Sequence, residues 1–140
     1  MSNPQKAKGT RGETAVVKYL RDNGFGLAER RALGGSHDMG DILICPGLIA
    51  EVKAGDKAKS FQQSLLEKWM DETRKEHSNA DAVVALLIVQ RSPYGPERVG
   101  MWWCWVTPVV RLAGYPLREA WSPLHLVIET LRATGWGDPL

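Results

Sequence analysis

The chain of 140 residues is 44% hydrophobic and 24% charged, with a formal net charge of +2. That is the balance of one globular domain, large enough for a core without disulfides or a structural metal, and it excludes a disordered chain. The longest apolar run, Ala82 to Val89, is strand-sized and excludes a membrane-spanning segment, and no long apolar signal core lies near Met1, so a cytoplasmic protein is expected.

Residues 1–9 read as a flexible basic arm. Thr10-Arg11-Gly12-Glu13 has capping-box spacing, and Ala15, Val16, Tyr19 and Leu20 follow with helical periodicity up to Gly24. From Met1 to Arg31, seven basic residues (Lys6, Lys8, Arg11, Lys18, Arg21, Arg30, Arg31) stand against three acids (Glu13, Asp22, Glu29). This local excess suits either a phosphate backbone or a solvated arm and helix face. Phe25 to Arg31 predicts a short strand and Ala32 to Gly40 a Gly-rich loop. Two apolar runs, Ile42 to Cys45 and Leu48 to Ala50, flank Pro46-Gly47 and predict a β-hairpin.

Ser60 predicts the start of a second helix, with Gln63 at capping-box spacing and Phe61, Leu65, Leu66, Trp69 and Met70 on one face. Asp81 to Val89 predicts a strand buried on both faces. Ser92 to Pro96 is a loop, and Val99 to Val106 a further strand. Its Trp102, Trp103 and Trp105 suit the core, a partner interface or base stacking. Cys45 and Cys104 fall in predicted strands, form no Cys-x-x-Cys pair and read as buried reduced thiols. Thr107-Pro108 predicts a short helix ending near Gly114. Residues 122–140 predict a last helix from Ser122-Pro123 and a polar tail. The whole of 1–140 is one domain, α/β in class, with the order α-β-β-β-α-β-β-α-α and a mixed sheet flanked by helices.

The chemistry concentrates on the hairpin. Asp41 opens its first strand, and Glu51-Val52-Lys53 closes its second. Alternation puts Glu51 and Lys53 on one face and Val52 on the other. Two carboxylates side by side repel unless a cation lies between them, and oxygen-only ligands suit Mg²⁺ or Mn²⁺. A lysine beside such a cation orients a water or stabilises charge developing on a phosphate. The competing reading is a solvated Glu-x-Lys pair, but a polar trio at the ends of apolar strands calls for more.

Arg11-Gly12-Glu13, Gly34-Gly35-Ser36, Gly40-Asp41-Ile42 and Glu51-Val52-Lys53, taken in this order of elements, resemble the PD-(D/E)XK nuclease superfamily. Within it the chain is similar to archaeal-type Holliday junction resolvases and their phage-encoded relatives, with counterparts through about Val110. The resemblance implies a restriction-endonuclease-like fold in which Asp41 and Glu51, with the Val52 carbonyl, hold Mg²⁺. It implies that Lys53 positions the attacking water and that Glu13 reaches the metal shell. Glu13 is equally a capping-box residue. Ser36 matches a serine that contacts the scissile phosphate, and is also an ordinary turn residue; His37 is a loop residue that could touch a phosphate. Gln62 or Gln63 would match a helix glutamine seen in related nucleases. Gly40 stands where the family often has proline, and the helix after Ser122 has no clear counterpart.

The expectation is therefore a Mg²⁺-dependent endodeoxyribonuclease, most simply a homodimer acting on four-way DNA junctions in recombination or repair. Its DNA contacts are expected at Lys6, Lys8, Arg11, Arg30, Arg31, Ser36 and His37. The alternatives are a related nuclease acting on duplex ends, flaps or nicks, and a non-catalytic nucleic-acid-binding protein on the same fold.

Overall fold

A computed structural model of the chain describes residues 4–31, 41–107, 110–112, 115–117 and 120–139. At its centre is the expected hairpin, β2 (Ile42–Cys45) and β3 (Leu48–Lys53), paired antiparallel through Ile42–Ala50 and Leu43–Ile49. Gly47 adopts φ +85° in the turn, a conformation that costs a residue with a Cβ about 1 kcal/mol. A Cβ there would also lie 3.3 Å from Val83 Cγ2. Gly47→Ala should therefore lower the thermal midpoint by several degrees, and an unchanged melt would show that the turn relaxes freely.

Around the hairpin runs a six-stranded mixed sheet in the order β1-β2-β3-β4-β5-β8. Its other strands are β1 (Glu29–Arg30), β4 (Val84–Val89), β5 (Trp103–Thr107) and β8 (Ser122–Pro123). Only β3 and β4 pair in parallel. A parallel pair needs a long crossover, and α2 (Asp56–Ser60) with α3 (Gln63–Asn79) supplies it. β4 is buried along its whole length, as its unbroken apolar sequence predicts.

The sheet is packed on both faces. α1 (Pro4–Asp22) contributes Val16, Val17 and Leu20 to a core with Ile42, Ala50, Val52, Leu86, Ile88 and Val106. α4 (Leu124–Ala133) joins the same core through Leu124, Val127, Ile128 and Leu131. On the opposite face α3 packs Leu66 and Trp69 against Leu87, Val89 and Trp105. Trp102 and Trp105 are core residues, and Trp103 is half-buried beneath the Arg91 guanidinium, 4.1 Å from its ring. Cys104 is buried, Cys45 half-buried, and both are free thiols. Among the described residues no helix is long and apolar enough to cross a membrane.

Several expectations are corrected. The first helix starts at Pro4 rather than Thr10, because proline is well placed in a first helical turn and the Lys/Ala-rich segment after it favours helix. Thr10 and Glu13 thus lie inside α1 and form no capping box. Gly12 is instead a close-approach residue, since a Cβ there would sit 2.5 Å from Ala54 Cβ. The strand expected over Phe25–Arg31 shrinks to Glu29–Arg30, with Phe25 buried in a turn.

The helix expected from Ser60 is two helices. Ser60 ends α2, where its hydroxyl donates to Lys57 O (2.6 Å), and Phe61 breaks the path with φ +49°. Val99 to Met101 form a 3₁₀ turn (Pro96–Met101), not strand, so β5 begins at Trp103. The helix expected near Thr107–Gly114 is replaced by β6 (Val110–Leu112) and β7 (Tyr115–Leu117), a two-stranded antiparallel sheet. A β-branched residue and a proline at 116 favour extended chain there. The observed order is α1-β1-β2-β3-α2-α3-β4-β5-β6-β7-β8-α4 with the 3₁₀ turn before β5.

Candidate active site

Asp41 stands at the start of β2 and Lys53 at the end of β3, so antiparallel pairing brings both to one end of the sheet. The Asp41 backbone extends the ladder on each side, donating to Ala50 O (3.0 Å) and accepting from Arg31 N (2.8 Å). Its side chain turns back onto β3, where Oδ2 accepts from the Val52 amide at 2.9 Å. Both backbone polar groups of a strand residue point to the same edge. The Val52 carbonyl therefore shares the Asp41 side, while the Lys53 carbonyl accepts from Gln90 N on the other side (2.8 Å).

Alternation holds as expected. Val52 enters the core under α1, whereas Glu51 and Lys53 share the face covered by α3. Glu51 is only 5% exposed. Its Oε1 lies 3.2 Å from Lys53 Nζ, but its Oε2 is buried without a hydrogen-bond partner. The Asp41 carboxyl is close enough to Glu51 to interact with it directly. Burial first, and then the Glu51 charge, push Asp41 up to about 7, against the opposing pull of the Val52 amide and Lys53. Two carboxyls in this position cannot both ionise without cost.

Lys53 is held on three sides. Besides Glu51 it meets Glu72 Oε2 of α3 at 3.5 Å and lies 5.7 Å from the Trp69 ring centroid. Burial draws its pKa down, but Glu51, Glu72 and Asp41 together outweigh that and raise it. Lys53 is therefore an ammonium at neutral pH, a donor and a point charge rather than a base. Glu72 was not identifiable from the sequence, where it is one glutamate among the polar positions of a helix.

Glu13 reaches the same end of the sheet from α1. Its pKa is raised, chiefly by burial and then by Asp41, although Arg30 opposes the shift. Arg30 binds Glu13 Oε2 through Nη2 (2.8 Å) and Nε (3.0 Å). Arg30 is thus engaged with Glu13, and Arg11 is exposed on α1. Gln63 points to solvent, bonded to Glu67 (3.1 Å), and Gln62 is exposed at the start of α3, so neither shares in this cluster. Ser36 and His37, with Gly34, Gly35 and Gly40, lie outside the described residues, as do the side chains of Lys6 and Lys8.

The donor set fits a hard divalent cation. It offers carboxylate and carbonyl oxygens, one of them buried and unpartnered, at a point where like charges already conflict. Among the described residues no three His, Cys, Asp or Glu side chains form a metal-holding group. The fit is of the two-carboxylate kind, in which Mg²⁺ keeps several waters and takes oxygens from a phosphate. Comparison of the chain with protein-family models, curated proteins and solved structures finds no match.

Proposed function

We propose that this protein is a metal-dependent phosphodiesterase with the restriction-endonuclease-like arrangement of the PD-(D/E)XK nucleases. More particularly, we propose a structure-selective endonuclease that cuts four-way DNA junctions as a homodimer. The first step rests on one observation, the convergence of Asp41, Glu51 and Lys53 around a buried carboxylate oxygen that has no partner. The second step rests on the resemblance of the motifs and on the need for two active sites in symmetric junction cutting.

Asp41, Glu51 and the Val52 carbonyl would hold Mg²⁺ or Mn²⁺, with Glu13 behind them. When bound, the ion supplies Lewis-acid stabilisation of the phosphate and lowers the pKa of the attacking water. The Lys53 ammonium orients that water and faces the negative charge that grows on the phosphate. Water adds to phosphorus and the bond to O3′ breaks, leaving a 5′-phosphate and a 3′-hydroxyl. Glu72 acts through Lys53 as a positioning residue. Glu72→Gln should lower the cleavage rate roughly tenfold while leaving thermal stability nearly unchanged, since Glu72 stands at the solvent side and Lys53 keeps Glu51 as its counter-ion at 3.2 Å. A wild-type rate would remove Glu72 from the mechanism.

The deciding assay is cleavage of a labelled four-way junction in Mg²⁺ against excess linear duplex, with Glu51→Ala as control. Paired symmetric nicks that resist the competitor are expected, together with a dimer in sedimentation. Equal cleavage of both substrates would reassign the protein to ends, flaps or nicks. A protein that binds junctions but cleaves nothing would be a non-catalytic binder.

A further inference from the structure

Beside the hydrolytic centre lies a separate cleft of about 200 Å³ lined by Arg11, Gly12, Gly55, Lys59, Gln90, Pro96 and Trp102. It opens just past the end of β3. Gly55 is two residues beyond Lys53, at most about 7 Å along the backbone, and Gly12 precedes Glu13. Among the described residues no carboxylate lines it. Its two cations, Arg11 and Lys59, are exposed and have no ion-pair partner among the described residues.

The walls offer no competing recognition. Gln90 is 6% exposed and already satisfied, its Oε1 accepting from Gly55 N (2.9 Å) and its Nε2 donating to Tyr94 O (3.1 Å). Trp102 Nε1 donates to the same carbonyl at 3.0 Å. Discrimination is left to the two charges, which favours a compact, doubly charged anion. A cleft of about 200 Å³ accommodates a phosphate group, and a terminal monoester carries close to two charges where an internal diester carries one. We propose that Arg11 and Lys59 form a pocket for the terminal phosphate monoester of a nucleic-acid strand.

This assignment rests on the nuclease reading for its biological sense, but its test needs neither metal nor turnover. Binding of short labelled oligonucleotides carrying a 5′-phosphate, a 3′-phosphate or only hydroxyl ends is measured by fluorescence anisotropy in EDTA. One phosphorylated end should bind about tenfold tighter than the hydroxyl end, and the end that does so names the strand polarity. Arg11→Gln with Lys59→Gln should erase that difference, Arg11→Lys should keep most of it, and inorganic phosphate should compete. Both residues are exposed, so the variants should fold normally. Equal weakening on all three oligonucleotides would mean an internal phosphate and overturn the end assignment. Unchanged binding by the double variant would overturn the pocket itself. A failed junction-cleavage assay bears on Asp41, Glu51 and Lys53 and leaves this measurement standing.

Discussion

Glu51→Gln should abolish cleavage and make the metal-free protein more stable. On the proposed mechanism, loss of a carboxylate that would hold the ion removes several kcal/mol of transition-state stabilisation, a rate decrease of about 10³-fold or more. DNA binding should persist or tighten, because a negative charge is removed from beside the phosphate. The stability gain follows from the burial of Glu51, whose Oε2 has no partner and whose charge raises the Asp41 pKa. An amide of the same shape removes the repulsion and brings a donor to the pair, an improvement of about 1–3 kcal/mol. Lys53 keeps Glu72 as its counter-ion at 3.5 Å. The two effects are read by a junction-cleavage assay and by thermal melting in EDTA above neutral pH. Retained Mg²⁺-dependent cleavage would sink the catalytic assignment. A lowered melting temperature would show that the Glu51–Lys53 pair matters more to the fold than the Glu51–Asp41 conflict.

Opposed effects of this kind are what the proposed role leads one to expect, since functional groups are often held at a cost to stability. Asp41 and Glu51 destabilise each other, yet elements on every side fix them there. The Val52 amide holds Asp41, Lys53 holds Glu51, and Glu72 and Trp69 hold Lys53. The Glu13–Arg30 pair closes the α1 side.

The hairpin and its facing were legible because they follow from local rules. Alternation, Pro-Gly turn chemistry and a strand buried on both faces leave β2, β3 and β4 few alternatives. What escaped depends on distant contacts. Gly12 reads as an ordinary glycine until Ala54 is placed against it. Ser60 reads as a helix start until Phe61 turns left-handed and divides the helix. Val99 and Met101 alternate like strand residues, yet a Cβ at Gly100 would lie only 3.1 Å from the Tyr19 ring and the segment curls into a 3₁₀ turn. Glu72 is invisible for the same reason, as its role exists only once α3 crosses back over the end of β3.

Asp41 also predicts how pH and metal act together. Its pKa is about 7 in the folded, metal-free protein against an ordinary 3.8. Between those values the folded chain keeps a proton that the unfolded chain has lost, so stability falls as pH rises from about 4 to about 7 and then levels. Each unit of the shift corresponds to about 1.4 kcal/mol. Mg²⁺ requires the ionised carboxylate, so its affinity should climb up to about tenfold per pH unit below neutrality and flatten above it. The rise in melting temperature caused by Mg²⁺ should therefore be small at pH 5 and large at pH 8. Asp41→Asn should remove both trends. Glu51→Gln should move the Asp41 titration down without restoring its ordinary value, because burial is the larger cause and the Glu51 charge only the second. Carbon-detected NMR of the Asp41 carboxyl follows the titration directly. A midpoint near 4 in the metal-free protein would mean that the two carboxyls do not conflict, and would remove the electrostatic argument for a cation between them.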